Sequence, residues 1–168
     1  MKKLVSLLIL AMGMTVAMFA ADEPFQIVSM EDVAKWGSNC DYDSEKCEAT
    51  FTGSYDRWFD LPGVQGDYSK HSKIQVDVLK SNVILKFVLR FRNAEGKTDQ
   101  VTVATLYGQM GSSITKKKTI KLDLRGEDGQ YTEQLKNLQS IRISMAKLCE
   151  DAEGEDPYCQ FGTQFIIK

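Results

Sequence analysis

LKFVLRFR, residues 85–92, sets Leu85, Phe87, Leu89 and Phe91 on one side of an extended chain and Lys86, Val88, Arg90 and Arg92 on the other. Successive side chains of a strand point to opposite faces, so this period of two marks a strand with one face in a core. The same alternation places Ile74, Val76 and Val78 on the inner face of a strand over 73–79, with Gln75 and Asp77 outside. It recurs at Val101 and Val103, at Ile120, Leu122 and Leu124, and at Ile141, Ile143 and Met145. Segments 24–29, 48–54 and 162–168 read as further strands, with 57–61 as a short continuation of 48–54. Turn residues punctuate the pattern at 93–96, 108–111 and 126–129. Ser29, with Asp32 three residues on, is a helix start for 29–36, and 132–138 accommodates one helical turn.

Eight or nine short strands with one or two short helices predict an all-β chain: a two-sheet antiparallel β-sandwich of jelly-roll type. In that topology the first and last strands pair. The loops 37–47 and 149–159 are then expected to meet at one rim.

Residues 1–20 have the layout of a signal peptide: Lys2 and Lys3, an apolar run from Leu4 to Phe19, then small residues for cleavage. The expectation is an exported protein, secreted, periplasmic or on the cell surface, with a single domain over 21–168 and no membrane span after cleavage. Losing Lys2 and Lys3 shifts the formal charge from −2 to −4. That balance argues against nucleic acid as a partner, since phosphate binding needs a concentrated basic surface. The run Lys116–Lys118 reads as a strand entry that discourages edge pairing.

Cys40, Cys47, Cys149 and Cys159 are an even set in an exported chain, which reads as two disulfides with three connectivities. Their spacings and the single histidine, His71, argue against zinc. Local pairs, Cys40–Cys47 and Cys149–Cys159, are the expected arrangement, each closing a loop worth about 3 kcal/mol in the chain-entropy model. Between these cysteines lie two acidic loops. The segment 40–47 places oxygens at alternate positions but has Lys46 where a calcium hand needs glycine. If both loops shared a rim, Asp41, Asp43, Glu150 and Asp151 would form a tentative calcium set, with a hydrated, salt-screened loop as the alternative. No other cofactor is indicated.

The segments YDSEKCEATFTGSYDRWFDLPG (42–63), DYSKHSKIQVDVL (67–79), KKTIKLDL (117–124) and LQSIRISM (138–145) resemble a galactose-binding-like, carbohydrate-binding-module-like jelly roll. Such modules accompany polysaccharide-degrading enzymes in Gram-negative bacteria, so the resemblance implies a jelly-roll fold and a polysaccharide partner.

Trp58 carries the sharpest site reading. If Phe59 and Leu61 point inward, Trp58 points out between Asp56 and Asp60. A flat ring beside carboxylates suits sugar recognition, because the ring stacks on sugar faces while polar groups orient hydroxyls. The opposite phase would bury Trp58 and expose Phe59. Trp36, Tyr42 and Tyr158 flank the cysteine loops and would line the rim or cover the end of the sandwich. Lys86, Arg90 and Arg92 share one strand face, with Gln75, Asp77, Lys121, Asp123 and Arg142 on comparable faces of others. Arginine rows suit bidentate contact to a polar or anionic glycan, and equally suit cross-strand ion pairing. No nucleophile motif or phosphate loop is present in the sequence, and a catalytic triad would have to be built on His71 alone. The expectation is a non-catalytic exported protein recognising a polysaccharide. The alternative is a structural or adhesion component of the cell envelope that binds a protein partner.

Overall fold

The computed structural model describes residues 23–36, 39–53, 57–106 and 112–168. The signal-peptide segment, the 108–111 turn and Asp56 lie outside the described residues. Ten strands are found among those described: β1 (Gln26–Ser29), β2 (Cys40–Asp43), β3 (Glu48–Thr52), β4 (Arg57–Asp60), β5 (Lys73–Ser81), β6 (Val83–Arg92), β7 (Thr98–Leu106), β8 (Lys118–Asp123), β9 (Leu138–Leu148) and β10 (Tyr158–Ile167). Two short helices, α1 (Met30–Trp36) and α2 (Thr132–Lys136), complete the set. No helix among the described residues is long and apolar enough to cross a membrane.

The strands form two antiparallel sheets. One has the order β2-β3-β10-β5-β8, with β1 also on β10; the other is β4-β9-β6-β7. The first strand pairs with the last, as a jelly roll requires, with Val28 opposite Phe165. Strand β8 is the edge of its sheet and begins in the lysine run, where Lys117 reaches Asp77 at 2.8 Å.

The core lies where the predicted apolar phases meet. Phe87, Leu89, Ile141 and Ile143 from one sheet face Val78, Phe161, Phe165 and Ile167 from the other, all essentially inaccessible to water. At its centre Phe51 stacks on Phe59, with ring centroids 4.4 Å apart, and Phe161 meets both edge-on. Phe161 and Phe165, four residues apart and so on one strand face, both point inward, and β10 bulges between them against β5. Helix α1 is capped as its sequence directs: Ser29 Oγ accepts the Asp32 N–H at 3.1 Å and donates to the Asp32 carboxylate at 2.7 Å.

Three features differ from the sequence expectation. Residues 40–43, expected in a loop, form β2, because a hairpin turn at 44–47 folds them onto β3. Residues 57–60 do not continue β3; they cross to the other sheet and pair with β9. Strands β5 and β6 belong to different sheets although only Asn82 separates them. The chain turns a corner there instead of closing a hairpin.

Candidate functional site

Strand register assembles the outer face of the β4-β9-β6-β7 sheet. Trp58 stands opposite Ser144, which stands opposite Lys86, which stands opposite Thr105. That row spans about 14 Å across four strands. The next row is Asp60, Arg142, Val88 and Thr102, and the third brings Ser140 beside Arg90 and Gln100. Because Phe59 and Leu61 are buried, the strand phase turns Trp58 outward, where it is 53% exposed.

Trp58 does not stand alone. The guanidinium carbon of Arg142 lies 3.4 Å from its ring centroid, so one ring face is covered and the exposure belongs to the other face and the edges. Asp60 holds that guanidinium in place. Arg142 donates through Nε at 2.9 Å and Nη2 at 3.0 Å to the two carboxylate oxygens, a bidentate fork. Arg90 donates to the same carboxylate at 3.2 Å. Asp60 therefore holds Arg142 against the tryptophan and ties Arg90 to the same carboxylate, which is a different task from the hydroxyl contact expected for it. Arg142 had appeared in the sequence only as one more polar-face residue, since nothing local tells that its strand neighbours β4.

Further along β6, Arg92 borders a cavity of about 380 Å³ lined also by Asn93, Glu133, Gln134 and Asn137. The Gln134 Oε1 there is buried without a hydrogen-bond partner among the described residues, as is the Ser140 hydroxyl. Arg90 and Arg92 thus share the face of Trp58, as does Lys86. Gln75, Asp77, Lys121 and Asp123 lie on the outer face of the other sheet, the far side of the sandwich.

The rim set is not assembled. Tyr42 pairs with buried Ala49 and packs against the core, while Tyr158 pairs with exposed Thr52 on the outer face of the same sheet. Neither shares a face with Trp58. Trp36 ends α1, and its side chain lies outside the described residues. The two acidic loops also part company. The start of β2 neighbours the 149–159 loop, but the 44–47 turn lies at the other end of the hairpin, about 10 Å along the strand. Asp43 instead binds the Lys46 ammonium at 2.8 Å and the N–H groups of Glu45 and Lys46, which hold its carboxyl below the usual range. Asp151 accepts the Ser113 N–H at 2.9 Å and the Ser113 hydroxyl at 2.8 Å, which lower its pKa likewise. The tentative calcium set Asp41, Asp43, Glu150 and Asp151 is therefore not brought together, and no group of three or more metal-ligating side chains occurs among the described residues.

What organises the 149–159 loop is Asn82, 1% exposed. Its side chain donates to the Asp156 carbonyl at 3.0 Å and the Glu155 carboxylate at 3.2 Å, and accepts the Tyr158 N–H at 2.8 Å. The acidic loop is a wrapping around a buried amide at the sheet corner.

The structure carries no disulfide among its described residues. The expected Cys40–Cys47 pair is incompatible with the hairpin. Cys40 lies three strand residues from Asp43, about 10 Å from the turn that carries Cys47, against the ~7 Å Cα limit for a bridge. Cys40 and Cys159 both stand opposite Phe51 from its two sides, two strand spacings apart, which rules out that pair as well. Burial pushes the Cys159 thiol up to about 12, and burial with the nearby Asp41 charge pushes Cys40 up to about 11. His71 is half-buried and stacks on Phe25, ring centroids 3.7 Å apart.

No protein-family model matches the chain, and no curated protein sequence does. Solved structures do. The family 30 carbohydrate-binding module of a cellulosomal cellulase from Clostridium thermocellum aligns with a TM-score of 0.51 at 14% identity, over 77% of this chain and 82% of that one. Another family 30 module gives 0.47 at 12% identity, covering 70% and 74%. A family 29 carbohydrate-binding module gives 0.46 at 13% identity, covering 79% and 75%. The chain folds as the jelly-roll β-sandwich that is also the fold of carbohydrate-binding modules.

Proposed function

We propose that this is an exported, non-catalytic binding protein that recognises a polysaccharide on the outer face of the β4-β9-β6-β7 sheet. The observation that carries the reading is Trp58: 53% exposed, with one face fixed on Arg142 and the other open. An exposed tryptophan normally costs solubility, and here it is held rigid by the Asp60–Arg142 fork, so little conformational entropy is lost on stacking. A pyranose ring stacks its C–H face on the open indole face. Ser144 and Lys86 stand in the row of Trp58, Arg90, Gln100 and then Arg92 follow in later rows of the same face with donors and acceptors for hydroxyls, and the cavity beside Arg92 extends the polar track. The likeness of the fold to carbohydrate-binding modules supports the same reading, and the sequence layout of residues 1–20 supports export.

Affinity electrophoresis or pull-down on a panel of insoluble and soluble polysaccharides tests the proposal, with Trp58→Ala as the control. Saturable retention by one polysaccharide class, lost in a folded Trp58→Ala protein, is the expected result. Absence of retention across the panel, with a cell-envelope protein recovered in its place, would overturn it.

A further inference from the structure

We propose that Cys149 and Cys159 form a disulfide that fastens the two sheets together at the Asn82 corner. Strand β5 ends in one sheet and β6 begins in the other, with Asn82 as the only residue between them. The Asn82 N–H donates to the Tyr158 carbonyl at 3.2 Å, and the Asn82 carbonyl accepts the Cys149 N–H at 2.8 Å. In an ordinary antiparallel ladder one opposing residue supplies both of those bonds. Here two chain segments share that position: the end of β9, which belongs to the second sheet, and the start of β10, which belongs to the first. Cys159 follows Tyr158 and stands opposite Ser81, while Leu148, just before Cys149, stands opposite Val83. The two cysteines therefore flank one bend, Cys149 bonded to the Asn82 carbonyl and Cys159 opposite Ser81; a bridge between them needs Cα atoms about 4.4–6.8 Å apart.

Both side chains are buried, at 2% and 0% exposure, and each sulfur lies in the electrostatic field of the other. The hairpin register sets Cys40 apart from Cys47, and Phe51 sets it apart from Cys159, while Cys149 shares the bend with Cys159. The bond forms by loss of one hydrogen from each thiol. A disulfide-bearing thiol oxidant accepts the two electrons and both protons and leaves as two thiols. Burial holds the Cys159 proton tightly in the folded state, so the exchange takes place before the corner closes. This inference does not depend on what the outer face binds.

The test is peptide mapping of the full chain folded in an oxidising medium, either exported to a periplasm or refolded with a glutathione pair. The protein is denatured and alkylated without reduction. One tryptic peptide, 148–168, contains both cysteines, so a second protease acting at the acidic residues between them is needed. The expected result is that the fragments bearing Cys149 and Cys159 stay joined until reductant is added, while Cys40 and Cys47 are alkylated. Alkylation of Cys149 and Cys159, or a link from either to Cys40 or Cys47, overturns the proposal. The double variant Cys40→Ser/Cys47→Ser offers an independent reading: after oxidative folding it should expose no alkylatable thiol in denaturant, and two alkylated thiols would refute the bond.

Discussion

Arg142 lies flat under Trp58, its guanidinium carbon 3.4 Å from the ring centroid, while Asp60 grips the same guanidinium in the plane by two hydrogen bonds. Three residues from two neighbouring strands thereby make one rigid aromatic platform on a polar sheet. Removing its exposed member should separate binding from folding. Trp58→Ala is expected to weaken polysaccharide binding by about tenfold or more, the loss of a ~1.4 kcal/mol stacking contact. Its thermal midpoint should change little, since an exposed cation–π contact contributes about 0.5–1 kcal/mol. Isothermal titration calorimetry and a thermal melt on the same preparation check both halves.

Asp60→Asn should behave differently. Two arginines would lose their shared carboxylate, and the neutral amide keeps one acceptor oxygen, so at most two of the three donated bonds survive and none is to a charge. A destabilisation of about 1–2 kcal/mol is expected from the lost charge-assisted bonds. Binding should weaken too, because the platform under Trp58 loosens. Chemical denaturation measures the first effect and calorimetry the second.

Asn82 is the residue whose loss should be felt most. Asn82→Ala leaves the Tyr158 N–H and the Asp156 carbonyl unsatisfied at a buried corner, at a cost of about 2–4 kcal/mol. Asn82→Asp keeps the acceptor but sets a buried carboxylate against the Asp156 carbonyl and the Glu155 carboxylate, so it should be worse than alanine. Urea unfolding curves of the two variants should fall in that order.

Asp123 links stability to pH. Hydrogen bonds from Arg125, then its own burial working against them, then the Arg125 N–H and the Ser72 hydroxyl set its pKa at about 2. A carboxyl with a depressed folded-state pKa binds fewer protons folded than unfolded between that value and the ordinary one near 4. Its contribution is complete above about pH 4 and is lost as pH falls towards 2. Asp123→Asn should therefore lower the melting temperature at pH 6 and converge on the wild type near pH 2. The Arg125–Asp123 pair is partly exposed, so the difference will shrink with added salt.

In the reduced protein, alkylation should discriminate the thiols by accessibility and charge. The thiolate is the nucleophile, so Cys159, buried and pushed up to about 12, should react last, and exposed Cys47 first. Time-resolved alkylation followed by mass spectrometry gives the order. Cys159 reacting ahead of Cys47 would mean that the corner opens readily.

The platform was half legible in the sequence. Alternation tied Trp58 to the phase opposite Phe59 and Leu61, because that is a property of the strand itself, but it left open which phase faces the core; burial of Phe59 and Leu61 decides it. Arg142 could not be assigned to it. Residues 58 and 142 meet only because β4 leaves β3 and joins β9 in the other sheet, and nothing in RWFD or IRIS encodes that partner. The rim shows the same boundary from the other side. Pairing of the first and last strands followed from the jelly-roll expectation and is present, but the rim needed both acidic loops at one end. The short hairpin β2-β3 carries its turn away from the 149–159 loop and turns Tyr42 into the core.

By itself the sequence determined the strand-rich character, the inner and outer faces of the strictly alternating strands, the cap of α1 and the sandwich class, because each depends on residues within a few positions of one another. Only the tertiary structure decided which strands are neighbours, that Asn82 turns the chain from one sheet to the other, that Asp60 clamps Arg142 against Trp58, and that the acidic loop wraps an amide. Those facts rest on contacts between residues dozens of positions apart, where the free energy of packing two sheets selects among registers that local propensity leaves equal.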